Sequence, residues 1–251
     1  MPTKGQIRQA ISLLEGTCRQ YGIRDAFLVG GYPRAIAMGL PMTEVHDLDI
    51  ASGTPEKASQ LAGFVYEAAG EEKYKVHHRT MAVTIEVGGV EMDFQGPASH
   101  DDAMPYMHAW GVDATPIARN VFDRDFTINS LAIPIGGDEV LDLTRRGMTD
   151  IEEGRIATIL PADFSVPRDP LVITRAVRFA AKFGFRIDGP LWKAMLDNAG
   201  GLSDESKLSK ERLAIEAFVL SKYDVGEMLG ELGLEFLGSP EWARAGEAMR
   251  E

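Results

Sequence analysis

Phe27-Leu28-Val29-Gly30-Gly31-Tyr32-Pro33-Arg34 is followed, about sixteen residues after the glycines, by His46-Asp47-Leu48-Asp49-Ile50. The first stretch reads as a buried strand that breaks into a glycine turn. The second reads as a half-buried strand. Alternate side chains of a strand share a face, so Asp47 and Asp49 point one way while Leu48 and Ile50 point the other. Neighbouring carboxylates repel unless a cation lies between them. A divalent metal carried on a nucleoside triphosphate would supply that cation. Glycines 30 and 31 have no Cβ to hold a phosphate off the backbone. The guanidinium of Arg34 stands where it could meet a phosphate at the mouth of the turn. A glycine pair alone says little; followed by a strand with two aspartates, it says much more.

Further along, Val90-Glu91-Met92-Asp93-Phe94 also alternates acid and apolar residues. Glu91 and Asp93 share a face, and spacing alone does not separate them as a third carboxylate. Residues 123–132 read DRDFTINSLA, residues 147–154 GMTDIEEG, residues 169–185 DPLVITRAVRFAAKFGF and residues 208–213 LSKERL.

Taken in order, these segments resemble the class II tRNA nucleotidyltransferases (CCA-adding enzymes) and the related bacterial poly(A) polymerases, over roughly residues 22–222. The resemblance implies an α+β fold: a small mixed-sheet nucleotidyltransferase head like that of DNA polymerase beta, residues 1–145. An all-helical neck and truncated body, residues 146–251, would bind RNA and nucleotide. It implies a template-independent enzyme that adds CCA, CC or A to tRNA 3′ ends. A poly(A) polymerase-like tailing enzyme and a weakened nucleotide- or RNA-binding relative are the alternatives. By family position Asp47, Asp49 and Glu91 are catalytic, and Asp47 and Asp49 hold two Mg2+ ions. Gly30, Gly31, Arg34, Arg124, Asp125, Asn129, Asp169, Arg175 and Arg178 are expected to bind the nucleotide. Arg178 and Lys182 are expected on the RNA. The implied partners are NTPs (ATP, with CTP as the second) and the 3′ end of a tRNA.

The chain also departs from that family. The neck motif is Glu-Asp-x-x-Arg, whose Asp and Arg imitate a base-pairing edge. Here Arg168, Asp169 and Val172 stand at those places. A valine donates no hydrogen bond, so another residue reads the base or selection is relaxed or altered. Arg168 is no substitute, because 168 and 172 lie one helical turn apart. Pro33 and Ala35 replace the usual valine and aspartate, and Asp123 replaces the first arginine of a double-arginine motif. Only about thirty residues follow Lys222. An oligomer or a partner protein is therefore expected to supply the missing tail.

Composition sets bounds. A chain of 251 residues suits two small domains or one large one. One cysteine excludes an internal disulfide framework and fits a reducing compartment. With no long apolar run and no signal-peptide core, the expected setting is cytoplasmic, away from the membrane. The net charge of −12 counts against unaided electrostatic capture of RNA. Residues 168–222 are the exception, with ten basic against seven acidic residues. Arg175, Arg178 and Lys182 would form one basic stripe there.

Periodicity predicts helices over 3–21 and 55–69 and strands over 25–30, 47–51, 73–77, 80–87, 90–95 and 139–143. Gly88-Gly89 is expected to close a hairpin. Residues 97–119, with three prolines, read as irregular; a helix is expected to begin over 125–132, and everything after about 148 reads as helical. The five histidines show no metal-ligand spacing. His77 and His78 point to opposite faces if they lie in a strand.

Overall fold

The computed structural model describes residues 2–70, 73–77, 81–97, 101–203 and 208–249. His78, His100 and the expected first strand residue at position 80 lie outside them. The chain divides into two compact units, Met1–Ile151 and Glu152–Glu251.

The first unit opens with α1 (Lys4–Tyr21), β1 (Ala26–Val29), α2 (Gly31–Ala37), β2 (Asp47–Ser52) and α3 (Pro55–Ala69). Then come β3 (Tyr74–His77), β4 (Ala82–Val87), β5 (Val90–Gln95), α4 (Met104–Ala109), α5 (Pro116–Phe122), β6 (Leu131–Pro134), β7 (Leu141–Asp142) and α6 (Gly147–Glu152). Local chemistry sets most of these ends. Thr3 and Gln6 form a reciprocal capping box on α1, and left-handed Gly22 closes it. Thr54 caps α3, Pro55 fills its first turn, and left-handed Gly70 ends it.

Among the described residues seven strands make one mixed sheet in the order β3-β4-β5-β2-β1-β6-β7. β2 and β5 run parallel, while β1 pairs antiparallel with both β2 and β6. One face carries the core. Ile7 and Leu14 of α1 and Leu61 and Val65 of α3 pack on Leu48, Ile50, Ile85, Met92 and Phe94. Burial of each such side chain contributes about 1.5–3 kcal/mol. A one-residue slip of β2 or β5 would drive aspartates into that core, so the register is strongly specified.

Three expectations are corrected. Residues 104–109 and 116–122 are helices rather than irregular chain. Pro105 and Pro116 sit in first turns, where a missing N–H has no bond to break. Residues 125–132 do not begin an α-helix: one 3-10 turn (Thr127–Asn129) leads straight into β6, which is drawn out along β1 with Val29 opposite Ala132. The stretch after 148 is not wholly helical either.

The second unit holds β8 (Arg155–Ile156), α7 (Ala162–Arg168), α8 (Leu171–Phe183), β9 (Arg186–Ile187), α9 (Gly189–Asn198), α10 (Lys210–Leu220), α11 (Gly226–Glu231) and α12 (Pro240–Ala248). β8 and β9 form a short parallel pair. Among the described residues no helix is long and apolar enough to cross a membrane.

Helices α10 and α12 approach so closely at Gly246 that an added Cβ would lie 1.9 Å from the carbonyl oxygen of Ala214. Gly246→Ala gains about 1 kcal/mol of helix propensity but forces two backbones apart, which typically costs 1–3 kcal/mol. The steric term prevails because a backbone carbonyl cannot swing away. The expected outcome is a lower Tm, read by thermal denaturation.

Candidate active site

The face of the sheet opposite that core gathers the acids, beside a small apolar patch of Val29, Ala51 and Ala132 against which Ile117 of α5 packs. β2 lays Asp47 opposite Glu91 and Asp49 opposite Asp93 on β5. Leu48 and Ile50, pointing the other way, are fully buried. Burial first, then the charges of Asp49 and Asp93, push the Asp47 carboxyl above its ordinary range; His46 opposes this. Asp47 is open to solvent at the rim, so water screens much of that cost. Asp93 is half-buried. Burial raises its carboxyl most, a hydrogen bond from Thr84 pulls it back, and Asp49 and Glu91 raise it again.

The glycine turn lies against these acids. Gly30 has φ 68° and ψ −120°, a backbone conformation that suits glycine alone. A Cβ on it would stand 2.3 Å from Asp49 Oδ2 and 2.6 Å from Arg124 Nη1. Gly31 begins α2, and a Cβ there would lie 4.0 Å from Asp47 Oδ1 and 3.8 Å from Arg34 Nη2. The turn, both aspartates and two guanidinium groups therefore converge. Arg124 Nη1 lies 3.5 Å from Asp49 Oδ2, an ion pair at the outer limit of hydrogen bonding. Arg124 Nε is buried and has no hydrogen-bond partner among the described residues. Arg34 donates to Asn129 Oδ1. Asn129 Nδ2 donates to Asp125 Oδ1 at 2.9 Å, and the same oxygen accepts the Phe126 N–H at 2.8 Å. Arg34, Asn129 and Asp125 thus form one chain.

A buried clasp supports that chain. Thr127 donates to Asp150, which is fully buried on α6. Asp142 accepts from the Met148 N–H and from Thr144, which in turn contacts Ser130. Gly147 lets α6 press on the Thr127 carbonyl, which an added Cβ would approach to 2.6 Å. Thr127 lies in the DRDFTINSLA segment and Asp150 in GMTDIEEG; Asp142 carries no local signal in the sequence.

In the second unit, Asp169 sits between α7 and α8. Its carboxylate accepts the Leu171 N–H at 3.2 Å and faces Arg175 Nη1 at 3.4 Å. Glu216 on α10 pairs with Arg175 Nε at 3.7 Å and Arg178 Nη1 at 3.6 Å, distances of ion pairs rather than hydrogen bonds. Arg178 also covers the Phe179 ring, and Lys182 lies beside Phe183. The stripe of Arg175, Arg178 and Lys182 is thus partly neutralised by an acid from a helix about forty residues on. Val172 is 3% exposed and belongs to the core.

The residues present suit a hard cation. They offer carboxylate oxygens whose mutual repulsion a cation would relieve, beside a turn that only glycine can make. Among the described residues no three His, Cys, Asp or Glu side chains converge tightly enough to enclose an ion. An edge of two carboxylates is what Mg2+ commonly uses when substrate phosphates and water complete its shell.

The family model for the poly A polymerase head domain matches residues 26–157. The mitochondrial CCA tRNA nucleotidyltransferase of Candida glabrata is 31% identical over 206 residues, covering 75% of this chain and 38% of that protein. A CCA-adding enzyme of Leuconostoc mesenteroides is 32% identical over 194 residues, covering 76% of this chain and 44% of that protein. The fold matches the Thermotoga maritima CCA-adding enzyme complexed with tRNA at a TM-score of 0.71 and 22% identity, covering 92% of this chain and 52% of that one. A CCA-adding enzyme in complex with ATP matches at a TM-score of 0.71 and 21% identity, again over 92% and 52%. The chain thus spans about half or less of the length of these relatives.

A raised carboxyl pKa means that the ionised form is disfavoured in the fold. For Asp93 this penalty is absent below the unperturbed value of 3.8, grows between it and the raised folded value, and is constant above that. Asp93→Asn should therefore raise the Tm of the metal-free protein at neutral pH. The gain should vanish below about pH 4. Thermal scans from pH 3.5 to 8 in EDTA measure it.

Proposed function

The chain belongs to the poly A polymerase head-domain family, and on that premise we propose that it is a template-independent RNA nucleotidyltransferase that adds nucleotides (CCA, CC or A) to tRNA 3′ ends. The observation that carries this reading is the convergence of Asp47 and Asp49 with the Gly30-Gly31 turn, Arg34 and Arg124. Asp47 and Asp49 would hold divalent cations, two Mg2+ ions in the fullest form of the proposal. Bound there, such ions would lower the pKa of the RNA 3′-hydroxyl and neutralise charge on the triphosphate. Arg124 and Arg34 bring fixed positive charge to the same face, suited to triphosphate oxygens. The 3′-hydroxyl gives its proton to water and its oxygen bonds to the α-phosphorus as the bond from that phosphorus to the α–β bridging oxygen breaks, and pyrophosphate leaves without an enzyme-bound intermediate. Positioning and charge neutralisation supply most of the acceleration in such chemistry. Asp47→Ala should cost several orders of magnitude in incorporation of labelled nucleotide into tRNA while leaving the circular dichroism spectrum intact. Near-normal turnover would refute the role.

Base selection is assigned to Asp169 with Arg175. A carboxylate accepts and a guanidinium donates, side by side. That pair complements an edge with an amino group next to a ring nitrogen acceptor, as in cytosine and adenine. Glu216 holds Arg175 from behind. The burial of Val172 and the partial neutralisation of Arg178 favour a second reading, a tailing enzyme of altered nucleotide choice. Labelled ATP, CTP, GTP and UTP, offered singly to tRNA ending before CCA, separate the two: C then A supports the first, long A runs the second. Arg175→Lys should lower the preference for CTP and ATP over UTP and GTP at least about ten-fold, because a lysine cannot present two fixed donors.

A further inference from the structure

Helix α5 lies on the acid-bearing face of the sheet. Ile117 packs on the patch of Val29, Ala51 and Ala132. Asn120, itself buried, donates to the Gly96 carbonyl at 3.2 Å, just past the end of β5. The helix ends at Phe122, which is 1% exposed. Two residues on, Arg124 reaches Asp49. The indole of Trp110, at the end of α4, rests against Phe122, with ring centroids 5.9 Å apart and planes tilted by 47°. Tyr106, one turn back on α4, lies 6.0 Å from the same indole. Trp110 nevertheless remains 45% exposed. Two ring contacts hold it, so it is an anchored aromatic surface with little side-chain entropy left to lose on binding.

We propose that Trp110 is a stacking platform for an unpaired base of the RNA 3′ end, a positioning residue that leads the strand to the acids. The inference rests on the function proposed above. Charge favours this route over phosphate capture. Residues 1–151 carry 21 acidic against 13 basic residues, so the first unit is a poor trap for a polyanion. Stacking needs no charge, and it tolerates any base because every base has a π-face. Unpaired RNA bases are bound in this way, laid on aromatic side chains. The path to the site is short: only Asp123 separates the Phe122 beneath the indole from the residue whose guanidinium meets Asp49. The base of an incoming nucleotide is the other source of a π-face, and the test separates the two.

The test is extension, by the full chain, of a tRNA lacking only its terminal adenosine. Trp110→Leu keeps apolar bulk over Phe122 but has no π-face; Trp110→Phe keeps a ring. Trp110→Leu should raise the KM for tRNA about ten-fold and leave kcat and the KM for ATP unchanged, while Trp110→Phe stays close to wild type. The ratio of the Trp110→Leu and wild-type values should not change between about 50 and 200 mM salt, because stacking releases no counterions. An abasic residue at one unpaired position of the tRNA should raise the wild-type KM by a similar factor and leave that of Trp110→Leu unchanged. With Trp192→Phe and Trp242→Phe in place, Trp110 is the only indole, and tRNA should quench its fluorescence where ATP alone does not. Trp110→Phe and this quenching keep the test decisive if Trp110→Leu fails to fold. The platform is overturned, and the proposed function stands, if Trp110→Leu extends tRNA with the wild-type KM or is no weaker than Trp110→Phe. It is equally overturned if no abasic position cancels the effect, if the KM for ATP rises instead, or if tRNA leaves the fluorescence unchanged. If the wild-type protein extends no tRNA with any nucleotide, the function itself falls, and this inference with it.

Discussion

Carboxylates of like charge set close together on one sheet face are the constraint around which the first unit is built. Burial first, and the neighbouring carboxylates with it, raise the Asp47 and Asp93 carboxyls. Left alone, such a set would splay or protonate. Here it is kept in place by what lies beneath. Leu48, Ile50, Met92 and Phe94 alternate with the acids and are fully buried, so the pleat cannot rotate without exposing the core. The repulsion is stored on a rigid sheet and is available to be relieved by a cation.

The positive side of the site is assembled differently. Arg34 comes from a helix that begins at the glycine turn, and Arg124 from the loop before a 3-10 turn. The Arg34–Asn129–Asp125 chain and the Thr127–Asp150 clasp supply rigidity there. Buried polar groups of this kind are costly unless satisfied. Their satisfaction couples the GMTDIEEG segment to residues that face the acids. In the second unit Glu216 plays a similar part, pairing with Arg175 and Arg178 and subtracting charge from the basic stripe.

Much of this was legible in the chain. The strands around Asp47 and Asp93, helices α1 and α3 and the hairpin at Gly88-Gly89 follow from alternation, caps and turn residues acting within a few positions. The misreadings share a cause. The prolines of residues 97–119 make that stretch read as irregular, yet Pro105 and Pro116 stand in first helical turns, which accept proline. The helix expected to begin over 125–132 gives way at Leu131 to a strand, because pairing with β1 decides the matter. A fully buried short run does not declare its own period.

The sequence by itself determined which side chains share a face, where helices start, and that glycine stands where no Cβ fits. Those are consequences of backbone geometry over spans of two to four residues. Only the tertiary structure decided that Asp93 meets Asp49, that Thr84 and His77 stand behind it, that Val172 turns inward and that Glu216 reaches back to Arg175. The reason is physical: a hydrogen bond or an ion pair is fixed by separation in space, and strand register and helix packing bring together groups whose distance along the chain carries no information about it.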